Sequence, residues 1–274
     1  MIDILDVLTS DHQKVDLEVA GKQLRLTSLD RVLWPRTGNT KRDLLRYYVT
    51  NADRLLPWIE DRPLTLFRCP DGVEANCWYQ TTCPHPPRWL RRQRVPAAPA
   101  REYCVIDDIA GLLWAGNLSS IELHRLQSKS AALEQPTDLV FDLDPGPDAG
   151  LKECAAVARL IRHQTVADGA AIAVASGSLG IHVYIPLTGR ATYAQAKATA
   201  RSNAEALTRE HPDLVTVSPR RAERGARVYV DWAQNDINRS LVAPFSLRAM
   251  PVPSSARLME WDEVDQLAKS GRLG

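Results

Sequence analysis

The chain has 274 residues, 45% of them hydrophobic and 24% charged, with a formal net charge of +1. That balance suits a globular protein with enough apolar material for a sizeable core. It excludes a polycation that coats nucleic acid non-specifically, so any basic surface has to be local.

No apolar run approaches the roughly 18 residues of a membrane-spanning helix. The opening "MIDILDVLTSDHQKVDLEV" has neither the basic region nor the continuous apolar stretch of a secretory signal. The expectation is a soluble, cytoplasmic protein. Two local clusters carry basic charge: Arg88, Arg91, Arg92 and Arg94 in "RWLRRQR", and Arg220, Arg221, Arg224 and Arg227 in "RRAERGAR". For each, a solvated charged face and a phosphate-binding face both stand as readings. The five cysteines (Cys69, Cys77, Cys83, Cys104, Cys154) are odd in number and lack a CxxC pair. Neither a disulfide framework nor a zinc ribbon is expected, and a reducing compartment is the inference. "CPHP" from Cys83 reads as a Pro-rich loop rather than a zinc site.

Along the chain, "KQLRLTS" alternates as a strand does, and a turn-rich connection then leads to a helix N-cap at Thr40. From Lys41 to Ile59, the apolar residues Leu45, Tyr48, Val49, Ala52, Leu55 and Leu56 recur at helical spacing and predict one amphipathic helix. "PLTLFRC" is a strand, and "CPDGVEANCWYQ" is a turn followed by an extended aromatic piece. Five prolines make residues 84–100 an irregular surface segment. "REYCVID" is a strand, "DIAGLLWAGNLSS" a helix capped by Asp107 or Asp108, and "SIELHRL" another strand.

The second half is more regular. "TDLVFDLDP" is a strand, 151–167 a helix, "AAIAVAS" and "IHVYIPL" a strand pair joined by "GSLG", 192–210 a second helix, and "RVYVDWAQN" a further strand. This order predicts an α+β fold with helices on one face of a mostly antiparallel sheet and the other face left free. The organisation expected is one domain, 1–274, with an N-terminal subregion 1–135 of α/β character and a core 136–274.

On the strand "DLVFDLDP", side chains two apart share a face, so Asp142 and Asp144 converge while Phe141 and Leu143 turn to the core. Two carboxylates held together repel unless a cation lies between them, and a hard divalent ion is the simplest neutraliser. Asp231 in "RVYVDWAQN" is a candidate third ligand, and paired metal ions of this kind stabilise displacement at phosphorus. Asp-x-Asp alone is also compatible with a solvated strand end or a metal site for a nucleotide sugar. In "SGSLGIHVYIPL", Ser176 to Gly180 form a small turn whose amides and hydroxyls can approach phosphate oxygens, with His182 just beyond it. A plain hairpin turn is the simpler reading of that piece alone.

In combination these motifs are specific. From "LTSLDRVLWPRTGNTKRDLLRYY" through "FRCPDGV", "NLSSIELH", "DLVFDLDPGP", "SGSLGIHVYIPL" and "VDWAQN" to "LVAPFSLRA" and "WDEV", nearly the whole chain resembles the polymerase domain of bacterial ligase D, of the archaeo-eukaryotic primase superfamily. The resemblance implies a primase-polymerase fold with an RRM-like sheet flanked by helices. It makes Asp142, Asp144 and Asp231 the catalytic acids that hold two divalent ions, Mn2+ or Mg2+. Ser176, His124 and Arg248 would contact the phosphates of an incoming NTP or dNTP, and Arg68, Arg224 and Gln234 would lie near them. Trp78 and Tyr79 would stack on bases, and Arg31 and Lys41 would bind the 5′-phosphate of a DNA break.

The activity implied is repair synthesis on DNA 3′ ends in non-homologous end joining, with ribonucleotides preferred. The partners implied are gapped or overhanging DNA, Ku and an ATP-dependent DNA ligase, in a nucleoid-associated setting. A primase that starts chains de novo and a non-catalytic DNA-end binding module are the alternatives. The chain lacks the Lys-x-Asp-Gly motif of a ligase module, so it reads as an excised or free-standing polymerase domain. One departure concerns the turn: the family commonly reads Ser-Gly-Ser-Lys-Gly where this chain has Leu179. Arg31 likewise stands where the family has lysine, which keeps the charge but changes the hydrogen-bond geometry.

Overall fold

The computed structural model describes residues 4–96, 99–165 and 171–270. The chain forms two compact units, one of Met1–Leu126 with Phe245–Ser255 and the other of Gln127–Pro244 with Ala256–Gly274. The segment 245–255 thus belongs with the N-terminal half, although it follows the second half in sequence.

In the first unit, α1 (Ile4–Val7) precedes the hairpin of β1 (Lys14–Val19) and β2 (Lys22–Thr27), then the short pair β3 (Val32–Trp34) and β4 (Asn39–Thr40). α2 (Lys41–Thr50) starts where Thr40 places it, with the Asp43 carboxylate accepting the Thr40 backbone N–H at 2.8 Å. The single helix expected over 41–59 is in fact two. The helix is interrupted at Asn51, which closes α2 by donating its side-chain amide to the Tyr47 carbonyl, and α3 (Ala52–Ile59) starts afresh. An uninterrupted apolar period masks such a break because both helices bury a face: Leu44, Leu45 and Tyr48 in one, Ala52, Leu55 and Ile59 in the other.

Then follow β5 (Pro63–Arg68), β6 (Trp78–Gln80), β7 (Arg91–Val95), β8 (Arg101–Val105), α4 (Ile109–Asn117) and β9 (Ser120–Leu126). β9, β5, β8 and β7 pair in that order, with β6 also on β5. The segment 84–100, expected to be irregular, contains the strand β7. Its sequence "RRQRV" lacks apolar alternation because the strand lies at a sheet edge, where backbone pairing with β8 sustains it without a buried face. α4 is capped by Asp108, whose carboxylate accepts the Gly111 N–H at 2.9 Å.

The absence of a disulfide framework is also overturned. Cys69 is bonded to Cys77 and Cys83 to Cys104, leaving Cys154 free and buried. Sequence spacing hid these pairs because the fold sets them: the Cys83 backbone N–H donates to the Glu102 carbonyl, which brings Cys83 beside Cys104 of β8. The cysteine count therefore carries no inference about a reducing compartment.

The second unit is built on β10 (Asp138–Pro145), α5 (Leu151–Thr165), β11 (Ile172–Ala175), β12 (Ile181–Pro186), α6 (Tyr193–Glu210), β13 (Val215–Thr216), β14 (Val228–Asp231) and β15 (Ser240–Val242). The end of the helix expected over 151–167 falls outside the described residues. After β16 (Leu247–Arg248) and β17 (Ser254–Ser255) of the first unit, β18 (Arg257–Met259) and α7 (Trp261–Ser270) return to the second. Six strands run in the order β13, β14, β10, β12, β11, β18, and β10 is antiparallel to both its neighbours.

The main core lies on the face of Phe141, Leu143, Val183 and Val230, against Cys154, Val157, Ala158 and Ile161 of α5 and the alanine stripe Ala196, Ala200, Ala204 of α6. Small residues on that stripe let α6 approach the sheet closely. The opposite face is not free along its length. Val140, Val174 and Tyr184 are buried there beneath Leu241, Val242 and Ala256, which confines the accessible part to the end that bears the aspartates. The chain therefore has the expected α+β class, with antiparallel pairing predominant and α5 and α6 covering one face of the second sheet.

Candidate functional site

In the second unit, register alone gathers the acids. Asp142 sits opposite Asp231 on β14 and opposite His182 on β12, and Asp144 sits opposite Tyr229. Side chains of directly opposed residues approach to about 5 Å, so one row across three strands reads His182, Asp142, Asp231. The Gln234 amide nitrogen joins the two acids, 3.4 Å from Asp142 Oδ2 and 3.2 Å from Asp231 Oδ2. His182, itself buried, places Nε2 3.4 Å from the other Asp142 oxygen.

Gln234 reaches this position because β14 stops at Asp231, not at Asn235 as the pattern suggested. Asp231 caps a 3-10 turn, Trp232–Gln234, by accepting the Ala233 N–H at 3.0 Å, and the turn swings Gln234 back over the sheet. Asp144 is more open, its side chain 49% exposed, with Arg224 Nη1 3.9 Å away. Arg224 is buried, donates to the Pro219 carbonyl and lies 4.4 Å over the Tyr229 ring. Burial, then the nearby Asp231 charge, pushes the Tyr229 phenol well above its ordinary pKa.

Two glycines fix the rim. A Cβ on Gly180 would lie 2.4 Å from the Leu143 carbonyl oxygen and 3.7 Å from Asp144 Oδ1, so only glycine lets the "SGSLG" turn rest on β10. A Cβ on Gly146 would lie 2.2 Å from the Gly225 carbonyl oxygen, which clamps the Arg224 loop against the end of β10. Within the turn, the Ser176 hydroxyl oxygen accepts the N–H groups of Gly180 at 3.1 Å and Ser178 at 3.3 Å, while Leu179 points outward and is 55% exposed. Ser176 thus builds the turn expected to face phosphate.

Among the described residues, no three or more His, Cys, Asp or Glu side chains are already gathered as a metal-ligand set. The donor chemistry nevertheless fits a hard divalent cation: carboxylates from adjacent strands with their oxygens turned to one face.

The first unit holds a basic and aromatic counterpart. Glu122 and His124 both project from β9 to one side; His124 Nε2 is 2.7 Å from Glu122 Oε2, and Arg248 Nε is 3.2 Å from Glu122 Oε1. The ring of Tyr79 stands edge-on to His124 at 5.2 Å and 4.6 Å from Phe67. Tyr79 and Trp78 are 60% and 37% exposed, and Arg68 lies 5.3 Å over the Trp78 ring.

Lys41 is buried, its ammonium held by the carbonyls of Thr27 and Asn117 at 3.0 and 2.8 Å. Burial and then the charges of Arg31 and Arg68 lower its pKa to about 8. Arg31 is half exposed and donates to the Pro70 carbonyl and Asp71 in the loop closed by Cys69 and Cys77. Arg68 donates to the Leu118 carbonyl, and burial lowers its pKa as well.

The structure thus brings Asp142, Asp231 and Gln234 together, with Asp144, Arg224 and Ser176 along the same strand ends. It gathers His124, Arg248 and Tyr79 around Glu122, and Lys41, Arg31 and Arg68 within electrostatic reach of one another. Sequence reading gave Glu122 and Tyr229 no role; an acid two residues before the candidate His124, on the same face of the strand, was the available signal for Glu122.

An antiparallel sheet with acids from two neighbouring strands and a glycine turn at their ends defines an α+β domain of the primase-polymerase class. The comparisons agree. The family model described as "LigD, primase-polymerase domain" matches residues 40–273, and the chain belongs to that family. It is 33% identical over 248 residues to the multifunctional non-homologous end joining protein LigD of Mycolicibacterium smegmatis, covering 89% of this chain and 32% of that protein. It is 28% identical to the bifunctional LigD of Bacillus subtilis, covering 88% of this chain and 39% of that one. The chain therefore spans about a third of the length of such relatives. The solved polymerase domain of Mycobacterium tuberculosis ligase D in complex with DNA is similar over 91% of this chain and 96% of that one, with 32% identity and a TM-score of 0.83. Among the described residues no helix is long and apolar enough to cross a membrane.

Proposed function

We propose that this domain extends DNA 3′ ends by nucleotidyl transfer during end joining, prefers ribonucleotides and recognises a 5′-phosphate across the break. The observation that carries the reading is the register pairing of Asp142 with Asp231, with Asp144 two residues on along the same face. Asp142, Asp144 and Asp231 would hold two divalent ions, Mn2+ or Mg2+, which when bound supply the positive charge that acidifies a 3′-hydroxyl and offsets charge on departing pyrophosphate.

The chain's own residues arrange this. Gln234, a neutral amide between Asp142 and Asp231, holds the two carboxylates apart without neutralising them, and His182 orients Asp142. Arg224 offers a fixed guanidinium near Asp144 for a phosphate oxygen, and Ser176, by accepting the N–H groups of Gly180 and Ser178, sets the shape of the turn expected to face it. His124 and Arg248 supply further phosphate contacts, and Trp78 and Tyr79 flat faces for bases. Lys41 and Arg31 bind the 5′-phosphate. The solved relative in complex with DNA supports DNA as substrate. Ku and an ATP-dependent ligase are the partners proposed for sealing the break.

The test is extension of a labelled primer on a gapped template, with Mn2+ or Mg2+, ribo- or deoxyribonucleotides, and with or without the 5′-phosphate. Metal-dependent extension that is stronger with ribonucleotides and with the phosphate is expected. Chains started on unprimed template would favour the primase alternative, and no extension under any condition would remove the reading.

A further inference from the structure

Glu122 is one of few acids buried in the described structure, 5% exposed in the middle of β9. A carboxylate there is costly unless it is fully engaged. Its Oε2 accepts from His124 Nε2 at 2.7 Å, and its Oε1 accepts the Ala249 backbone N–H at 2.9 Å. Arg248 Nε lies 3.2 Å from the same Oε1 outside hydrogen-bond alignment, so that contact is ionic. One side chain thus ties two residues of β9 to β16, which lies far along the chain. The Ser246 hydroxyl fastens the same two segments by accepting the Leu123 N–H at 2.8 Å.

We infer that Glu122 is the positioning residue for the nucleotide's phosphate contacts, holding His124 and Arg248 as one preset pair. This rests on the reading of His124 and Arg248 proposed above.

Three observations support it. With Nε2 committed to Glu122, Nδ1 is the only ring nitrogen of His124 that can meet a ligand, and the edge-on Tyr79 ring fixes where that nitrogen points. Burial raises the Glu122 carboxyl, but the hydrogen bond from His124 and the charges of Arg248 and His124 more than offset it, so Glu122 stays ionised. A ligand that meets two side chains already ordered forfeits less side-chain entropy than one that must collect them.

The measurement is steady-state extension of a primer opposite template thymine by ATP with Mn2+, comparing wild type with Glu122→Gln, which keeps the shape and removes the charge. KM for ATP should rise about tenfold with kcat within about twofold, because the contact serves binding rather than the reacting atoms. In a His124→Ala background the same substitution should raise KM by less than about threefold, the non-additivity of a residue that acts through another. An unchanged KM in Glu122→Gln, a fall in kcat alone, or a full tenfold rise in the His124→Ala background would each overturn the inference. If Glu122→Gln does not fold, Glu122→Asp, which withdraws the charge by one methylene, is read by the same criteria. Wild-type protein without extension at any ATP concentration would instead remove the proposed function, and this inference with it.

Discussion

The two units assemble charge in opposite ways. In the second, the acids sit on neighbouring strands and are brought together by pairing register, and they remain partly open: the Asp142 side chain is 15% exposed and that of Asp144 49%. In the first, cations come from distant parts of the chain and are held by other groups: Lys41 by two carbonyls, Arg248 by Glu122, Arg31 by a loop closed by a disulfide. Neighbouring paired strands can leave carboxylates ready for a cation because strand geometry bears the cost of convergence. A basic site has to be braced residue by residue, since nothing in β-pairing gathers arginines and lysines.

That contrast makes the acid cluster intolerant of single changes and the basic one graded. Asp144→Ala and Asp231→Ala should each reduce primer extension by more than about a thousandfold while leaving DNA binding within about twofold, measured by gel extension and fluorescence anisotropy. Persisting extension would separate the acids from the chemistry.

Gly180→Ala should cost about 1 to 3 kcal/mol in chemical unfolding, because the added methyl meets the Leu143 carbonyl oxygen at 2.4 Å and backbone must shift. Unchanged stability would mean that the turn does not rest on β10.

Smaller effects are expected in the first unit. Lys41 has a folded-state pKa near 8, below its ordinary value of 10.5, so it is charged below that pH and neutral above it. The preference for gapped DNA bearing a 5′-phosphate should therefore weaken severalfold between about pH 7 and 9. Lys41→Ala should flatten that dependence and weaken binding to phosphorylated DNA more than to the unphosphorylated form. The same depressed pKa makes folding more favourable as pH rises between about 8 and 10.5, where the unfolded chain holds the proton and the folded one does not. Equal pH profiles for wild type and Lys41→Ala would assign the dependence to another group. The smallest effect is at the turn: Leu179→Lys, at an exposed position beside the acids, should lower KM for nucleotide by about threefold, and no change would mean that another cation already serves there.

What the sequence disclosed follows the same division. Period-two alternation in "DLVFDLDP" and "RVYVD" placed the acids correctly, since a strand's side-chain period is fixed by its backbone. The Thr40 cap was equally visible and the α4 cap was narrowed to Asp107 or Asp108, because capping is local chemistry. The break at Asn51, the edge strand Arg91–Val95 and both disulfides were not, because each depends on partners distant in sequence. Glu122 was passed over for a similar reason: its burial and its partner Arg248 exist only in the folded chain. The 3-10 turn after Asp231, which sends Gln234 back over the acids, likewise reads as continued strand until it is seen.

Everything proposed for the second unit depends on whether the paired acids hold a cation. Titration of Mn2+ followed by electron paramagnetic resonance, on wild type and on Asp142→Asn, measures this without any requirement for turnover. Saturable binding in the wild type that falls at least about tenfold in Asp142→Asn is the predicted result. Equal binding by the two proteins would place the metal elsewhere and contradict the reading of Asp142, Asp144 and Asp231.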